Sequence, residues 1–318
     1  MTIAILGGGA FGTALAISMG QDRPIMLWAR DISHLAAHRE SPRLAGVKLP
    51  ENVTITAEIG AASQADIVLF ATPMQSLATF VAQIDLPLTA KALVACCKGL
   101  DLASLKGPTD ILASRWPDAT PAILTGPSFA TDIAHGLPTA LTLACADEGV
   151  GTSLQGALST STLRLYRSTD VVGAELGGAL KNVIAIAAGI VIGAGLGDSA
   201  RAALMTRGFA ELSRFALRMG ARSETLMGLS GFGDLVLTCT SDQSRNFRHG
   251  LSLGAGAVPD PAQTVEGIAT AEAVLKQAIR FGIVRQMPIT AMVAKVTQGQ
   301  IGVAEAVQNL MSRPLKEE

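Results

Sequence analysis

The sequence predicts an α/β domain over residues 1–172 followed by an all-α domain over residues 173–318. Three observations predict it. The glycine-rich stretch "GGGAFG" (7–12) follows an apolar run near the start of the chain. Short apolar runs, with helical stretches between them, then recur to about residue 168. Beyond about residue 172 strand-like alternation stops and helical spacing takes over.

Each element follows from its residues. "TIAIL" (2–6) is a strand, "AFGTALAISMG" (10–20) a helix of small residues, and "PIMLW" (24–28) a second strand. Gly7, Gly9 and Gly12 fit G-x-G-x-x-G, the turn that lets a backbone approach a pyrophosphate. A lone match among 33 glycines would mean little. Here it stands in the strand–turn–helix–strand context that a Rossmann-like dinucleotide site requires. The runs "VTIT" (53–56), "DIVLFATP" (66–73), "ALVACCKG" (92–99), "PAILTG" (121–126), "TALTLACA" (139–146) and "LRLYRS" (163–168) suit buried strands of a mostly parallel sheet. In the second half, 183–197 reads as a buried helix, 15 residues long and short of a membrane span. "SARAALMTRGFAELSRFALRMG" (199–220), 270–282 and 302–312 are further helices.

Composition sets the bounds. A length of 318 residues allows two domains, and 49% hydrophobic against 16% charged residues suits a large core. The net charge of −1 carries no footprint of nucleic acid or an anionic membrane surface, and neither partner is expected. Cys96, Cys97, Cys145 and Cys239 form neither a disulfide framework nor a C-x-x-C site, so buried reduced thiols are expected. The apolar N-terminus lacks the basic region of a signal peptide. The four histidines lack metal spacing, and no G-x-S-x-G elbow appears.

The polar residues that interrupt this pattern are the candidates for chemistry. "ATP" (71–73), "CKG" (97–99) and "GPSFA" (126–130) fall at strand ends, where ligands gather in open parallel sheets. Lys98 there is either a ligand-binding cation or a solvated lysine. Ser128 is placed to cap a helix beginning near Phe129. Lys181 and Asn182 interrupt an apolar, glycine-rich segment. Lys181 either snorkels to the surface or is desolvated into a base. Moving its pKa from ~10.4 to near 7 takes about 4 kcal/mol, which burial and a nearby cation such as Lys98 can supply. Asp234, after two glycines in "GFGDL", is expected in an accessible turn. Ser244, Arg245 and Asn246 read as a helix start suited to an anion, with Arg245 as a bidentate phosphate ligand. A nucleotide, a lysine base and an anion outline a dehydrogenase for a small phosphorylated or acidic alcohol.

The chain resembles the bacterial NAD(P)-dependent glycerol-3-phosphate dehydrogenase family. "GGGAFGTALA", "KGL", "GPSFA", "GALKNVIAIAAGI" with "GLGDSARAALMTRG", "GFGDLVLTCTSDQSRN" and "VEG" (265–267) carry the resemblance. It implies interconversion of glycerol 3-phosphate and dihydroxyacetone phosphate, a cytoplasmic role in supplying phospholipid synthesis, and a homodimer. Lys181 would accept the proton, with Lys98 and Asp234 beside it in catalysis. Lys98, Gly126, Ser128, Lys181, Asp234, Ser244, Arg245 and Asn246 would surround the substrate. Phe11, Arg30, Lys98, Ala130, Arg245 and Glu266 would join the glycines around the cofactor. Arg30 lies 18 residues after Gly12, where a 2′-phosphate reader belongs, so NADPH is the expected preference and NADH is possible. No metal is implied. Phe11 stands where the family often has tryptophan, Ser199 where asparagine is usual, and Thr131–Asp132 where acidic residues are usual. A hydroxy-acid dehydrogenase of the wider two-domain superfamily and a non-catalytic nucleotide sensor are the rival readings.

Overall fold

The structure, a computed structural model, describes residues 1–85, 90–260 and 264–312. Eight strands make one sheet: β1 (Ile3–Leu6), β2 (Ile25–Trp28), β3 (Val53–Thr56), β4 (Ile67–Phe70), β5 (Ala92–Ala95), β6 (Thr120–Thr125), β7 (Thr139–Cys145) and β8 (Leu163–Ser168). Their order is β3-β2-β1-β4-β5-β6-β7-β8. All neighbours pair in parallel except β6 with β7. The helices between strands are α1 (Ala10–Gly20), α2 (Ser33–His38), α3 (Met74–Ala82), α4 (Pro108–Arg115), α5 (Ala130–Ala134) and α6 (Glu148–Leu158). Ile3 and Ile5 face a core with Leu15 of α1 and Leu154 of α6, while Ala4 and Leu6 face a second core with Leu77 of α3 and Leu112 of α4. Burial on both faces is why these strands read as continuous apolar runs.

No strand follows Ser168 among the described residues. The later helices are α7 (Val171–Gly193), α8 (Gly197–Arg218), α9 (Ser223–Met227), α10 (Asp234–Cys239), α11 (Arg245–Gly254), α12 (Glu266–Arg280), α13 (Pro288–Thr297) and α14 (Val303–Met311). Residues 313–318 of the expected second domain lie outside the described residues. α7 is the hub of a third core, in which Leu180, Val183 and Ile186 meet Leu212, Phe247 and Val274. At 23 residues, with a mean hydropathy of 1.8 over its most apolar window, α7 would be long enough to cross a membrane, but 89% of that window is buried inside the protein. The expected helix at 183–197 is therefore the second half of a longer one. It stops at Gly193 because Gly195 and Gly197 take φ of +71° and +85°, outside helical geometry. The close α7–α11 packing depends on small residues: a Cβ at Gly250 would collide with the carbonyl of Ile186.

The four cysteines are free and buried. Two buried carboxylates tie elements together. Glu175 of α7 accepts the Thr109 amide at the start of α4 (2.8 Å), and Glu211 of α8 accepts the amides of Ile289 and Thr290 at the start of α13 (2.9 and 2.8 Å).

Candidate active site

β1 lies between β2 and β4, so the chain reverses its direction of travel across the sheet at the C-terminal end of β1. Ligands bind outside such switch points. Gly7, just past β1, has φ +135°, and a Cβ there would lie 2.5 Å from the carbonyl oxygen of Ala71. A Cβ at Gly12 would collide with the Gly7 carbonyl. These two glycines are required by the chain's own packing. Gly9, the N-cap of α1, has extended backbone and no capping side chain. The first amides of an eleven-residue helix thus have no capping side chain, the cradle a dinucleotide diphosphate fits. Phe11 is half-buried in the first turn. Ala29 packs where a Cβ of Gly8 would stand, which brings the exposed Arg30 to the rim of the same turn. Asp31 beside it accepts the Ser33 amide at 2.9 Å. Hydrogen bonds from Ser33 hold its carboxyl below the usual range.

Beyond β5, Lys98 donates to the Gly126 carbonyl at 2.9 Å and meets the Asp234 carboxylate at 2.5 Å. It is therefore engaged, not a solvated surface lysine. Gly126 follows β6 with φ +132°. Ser128 also points its hydroxyl at the Gly126 carbonyl, 3.3 Å away. This corrects its expected role as a cap: α5 begins at Ala130 with Phe129 at the N-cap and no capping side chain, so Ser128 sits one residue too early to reach the helix amides.

Lys181, in the middle of α7, is almost wholly buried. Its Nζ donates to the Thr238 hydroxyl at 2.6 Å and lies 3.0 Å from Asp234 Oδ1. The Thr238 hydroxyl is also 3.3 Å from that oxygen. Burial pushes the Lys181 pKa down to about 8; Asp234 opposes the shift and Lys98 adds to it. The expectation of an accessible Asp234 is corrected: the residue is 1% exposed and opens α10 directly after a π-helical turn, Leu229–Gly233. The preceding glycines serve close packing, not an open loop. A Cβ at Gly177 of α7 would lie 2.7 Å from the Ser230 carbonyl, so the turn seats against α7 and aims the carboxylate at both lysines. Single π-turns of this kind recur at functional sites.

Ser244 caps α11 by accepting the Phe247 amide at 3.2 Å. Arg245, the first residue of α11, is exposed. Asn246 is buried; its amide donates to Asn182 Oδ1 (2.9 Å) and accepts the Gly267 amide (3.0 Å). Glu266, the first residue of α12, accepts the Met74 amide at 3.3 Å through Oε1. Its Oε2 is buried without a hydrogen-bond partner. Burial raises its pKa, with the Arg245 charge opposing the shift. Ala130 opens α5.

The structure thus joins Lys98, Gly126, Ser128, Lys181 and Asp234 in one cluster, and Asn246 to Glu266 through the start of α12. Phe11 belongs to the glycine turn, and Arg30 follows Ala29, which packs against Gly8 of that turn. Thr238 was not singled out by the sequence, and Asn182 was noted beside Lys181 without a role. The signal for Thr238 was its spacing four residues after Asp234 on one helix face. A cavity of about 1010 Å³ lies elsewhere, between β7, β8 and the 222–230 segment, and none of these clustered side chains lines it. Among the described residues no group of His, Cys, Asp and Glu could hold a metal. A buried lysine between a carboxylate and a hydroxyl can hold or release a proton at Nζ near neutral pH.

Comparison with known proteins matches both halves of the chain. Residues 2–150 match the family described as NAD-dependent glycerol-3-phosphate dehydrogenase N-terminus, and residues 170–308 its C-terminus. Proteins named glycerol-3-phosphate dehydrogenase [NAD(P)+] are 61% identical in Cereibacter sphaeroides (99% of this chain, all of that protein) and 57% identical in Paracoccus denitrificans (all of both). A crystal structure of glycerol-3-phosphate dehydrogenase from Coxiella burnetii superposes with a TM-score of 0.92 at 34% identity, over 98% of this chain and 99% of that one. With both family halves matched in order around a glycine turn and a buried lysine cluster, the chain belongs to the NAD-dependent glycerol-3-phosphate dehydrogenase family.

Proposed function

We propose that the chain interconverts glycerol 3-phosphate and dihydroxyacetone phosphate with NADPH or NADH, NADPH being preferred. The observation that carries this reading is the Lys181–Asp234–Lys98 cluster on the sheet edge that holds the glycine turn. The nucleotide half is residues 1–172, and residues 173–318 supply the base. Gly7, Gly9, Phe11, Gly12, Arg30, Ala130 and Glu266 hold the dinucleotide, which when bound supplies or accepts hydride at its nicotinamide. Supply of glycerol 3-phosphate to phospholipid synthesis, a cytoplasmic place and a homodimer belong to the same reading.

The chain's own residues manage the proton and the charge. Lys181 Nζ has three hydrogens as an ammonium and uses two of its directions, on Thr238 and Asp234. The third is left for the substrate C2 oxygen. In reduction Lys181 gives that proton to the developing alkoxide; in oxidation the neutral amine takes it from the hydroxyl. Lys98 likewise uses two directions, on Gly126 and Asp234, and keeps one to stabilise negative charge. Asp234, between the two lysines, orients both. Arg245 and the amides at the start of α11 take the phosphate, with Ser128 and Asn246 bordering it.

The test is direct. Protein mixed with NADPH and dihydroxyacetone phosphate should lose the nicotinamide absorbance. Loss only with keto precursors of hydroxy acids overturns the reading in favour of another dehydrogenase. Nucleotide binding with no ketone turned over leaves a sensor instead.

A further inference from the structure

Gly9 differs from the other two glycines of the turn. Its φ of −73° and ψ of 175° are open to any residue. A Cβ built there would meet no atom of its own turn. Within 4 Å it would find one atom, Nη1 of Arg43, at 3.6 Å. The missing side chain therefore keeps space open at the start of α1, and a guanidinium borders that space.

Arg43 is held there by a built loop. Its amide donates to the buried Ser41 hydroxyl at 3.3 Å, and the Leu44 amide donates to the Ser41 carbonyl at 2.8 Å. Leu44 is buried in the core against which α1 packs. The ends of the loop are closed by an antiparallel backbone pairing of Glu40 with Lys48 and by Arg39, whose guanidinium donates to the carbonyls of Leu49, Pro50 and Val53. Arg39 is thus committed to the scaffold. Arg43 is exposed, and among the described residues its guanidinium has no hydrogen bond or ion pair.

We infer that Arg43 clamps the diphosphate of the bound dinucleotide, opposite the amides of the α1 N-terminus; this rests on the dehydrogenase reading above. The second glycine of such a turn is where the backbone approaches the pyrophosphate, and a planar guanidinium pairs two phosphate oxygens at once. Arg30, past the end of β2, stands where the adenosine 2′-phosphate is read. The two arginines therefore divide the anion, Arg43 taking the part that NADPH and NADH share.

Binding of NADPH and of NADH, followed by nicotinamide fluorescence, separates the possibilities. Arg43→Ala should weaken both dinucleotides by the same factor, about tenfold, and Arg43→Lys should restore part of the loss. Adenosine 2′-monophosphate, which lacks a diphosphate, should bind wild type and variant alike. A melting curve matching wild type keeps a folding defect out of the reading. Weakening of NADPH alone, or of neither dinucleotide, overturns the assignment of Arg43. Wild-type protein that holds neither dinucleotide overturns the dehydrogenase reading, and this inference with it.

Discussion

Asp234 holds Lys181 at 3.0 Å through one carboxylate oxygen and keeps its other oxygen, at 2.5 Å, for Lys98. One buried acid therefore faces two lysines, and the cluster retains an uncompensated positive charge when both are protonated. Burial and the Lys98 charge push the Lys181 pKa down, and the Asp234 charge set against them is why it falls to about 8 and no further. Reduction needs the ammonium, so kcat/KM for dihydroxyacetone phosphate should be flat below about pH 8 and fall above it. Oxidation needs the amine, so its rate should rise through the same region. Asp234→Asn removes the charge that favours the ammonium and should move both limbs to lower pH. Lys181→Met should abolish the limbs and lower turnover by about 10²- to 10⁴-fold. Limbs that do not move in Asp234→Asn would remove Lys181 from the role.

Arg245 opens α11, exposed beside a capped helix start, and Asn246 behind it is locked between Asn182 and Gly267. On the proposed reading the anion site is thus exposed on one side and fixed by hydrogen bonds on the other. Arg245→Ala should weaken dihydroxyacetone phosphate by about tenfold or more, since hydrogen bonds to charged groups contribute roughly 1.5–3 kcal/mol. Dihydroxyacetone, without the phosphate, should be weakened much less. Steady-state kinetics with both ketones checks this; equal losses would mean that Arg245 does not read the phosphate.

The parts of this site differ in how far they could be read from the chain alone. Lys181 stood out because a cation in an apolar segment demands a partner or a purpose. The burial of Asp234 did not, because its two lysines are supplied by the segment after β5 and by α7; Lys98 is 136 residues away in sequence. Glycines before an acid suggest an open turn, and only the packing against Gly177 shows that they close one. The sheet was legible because strands buried on both faces are uniformly apolar. The same uniformity hides direction, so the antiparallel pairing of β6 with β7 left no mark. α7 was read short because Glu175, Lys181 and Asn182 break its apolar run, although each is buried.

Glu175 carries a further consequence. Burial lifts its carboxyl from 4.5 to about 7, while hydrogen bonds from Thr109 hold the shift back. An unfolded chain would ionise it near 4.5, so between about pH 4.5 and 7 the folded state binds the extra proton. Stability from this group is present below about pH 4.5 and is lost as pH rises through about 7. A shift of this size is worth on the order of 3 kcal/mol. Glu175→Gln keeps an acceptor for the Thr109 amide and removes the titration. Its melting temperature should fall less than that of wild type between pH 5 and pH 8. Parallel curves for the two proteins would show that Glu175 does not titrate in that window.

Cofactor choice turns on the two residues after Ala29. Ala29 is fixed against Gly8, so the next side chain, that of Arg30, emerges at the rim of the glycine turn. Asp31 is the possible spoiler, since an inward carboxylate would repel a 2′-phosphate and favour NADH. The structure turns it the other way: its Oδ1 accepts the Ser33 amide at the start of α2, and Ser33 keeps it ionised there. The carboxylate is committed to a local turn, and on the proposed reading the ribose is left to Arg30. Arg30→Ala should therefore raise KM for NADPH by about tenfold and hardly change that for NADH, because only the former carries the 2′-phosphate. Asp31→Asn, which keeps an acceptor for the Ser33 amide, should leave the NADPH-to-NADH ratio near its wild-type value. An Arg30→Ala variant that loses both cofactors equally, or neither, would place the 2′-phosphate reader elsewhere on the rim.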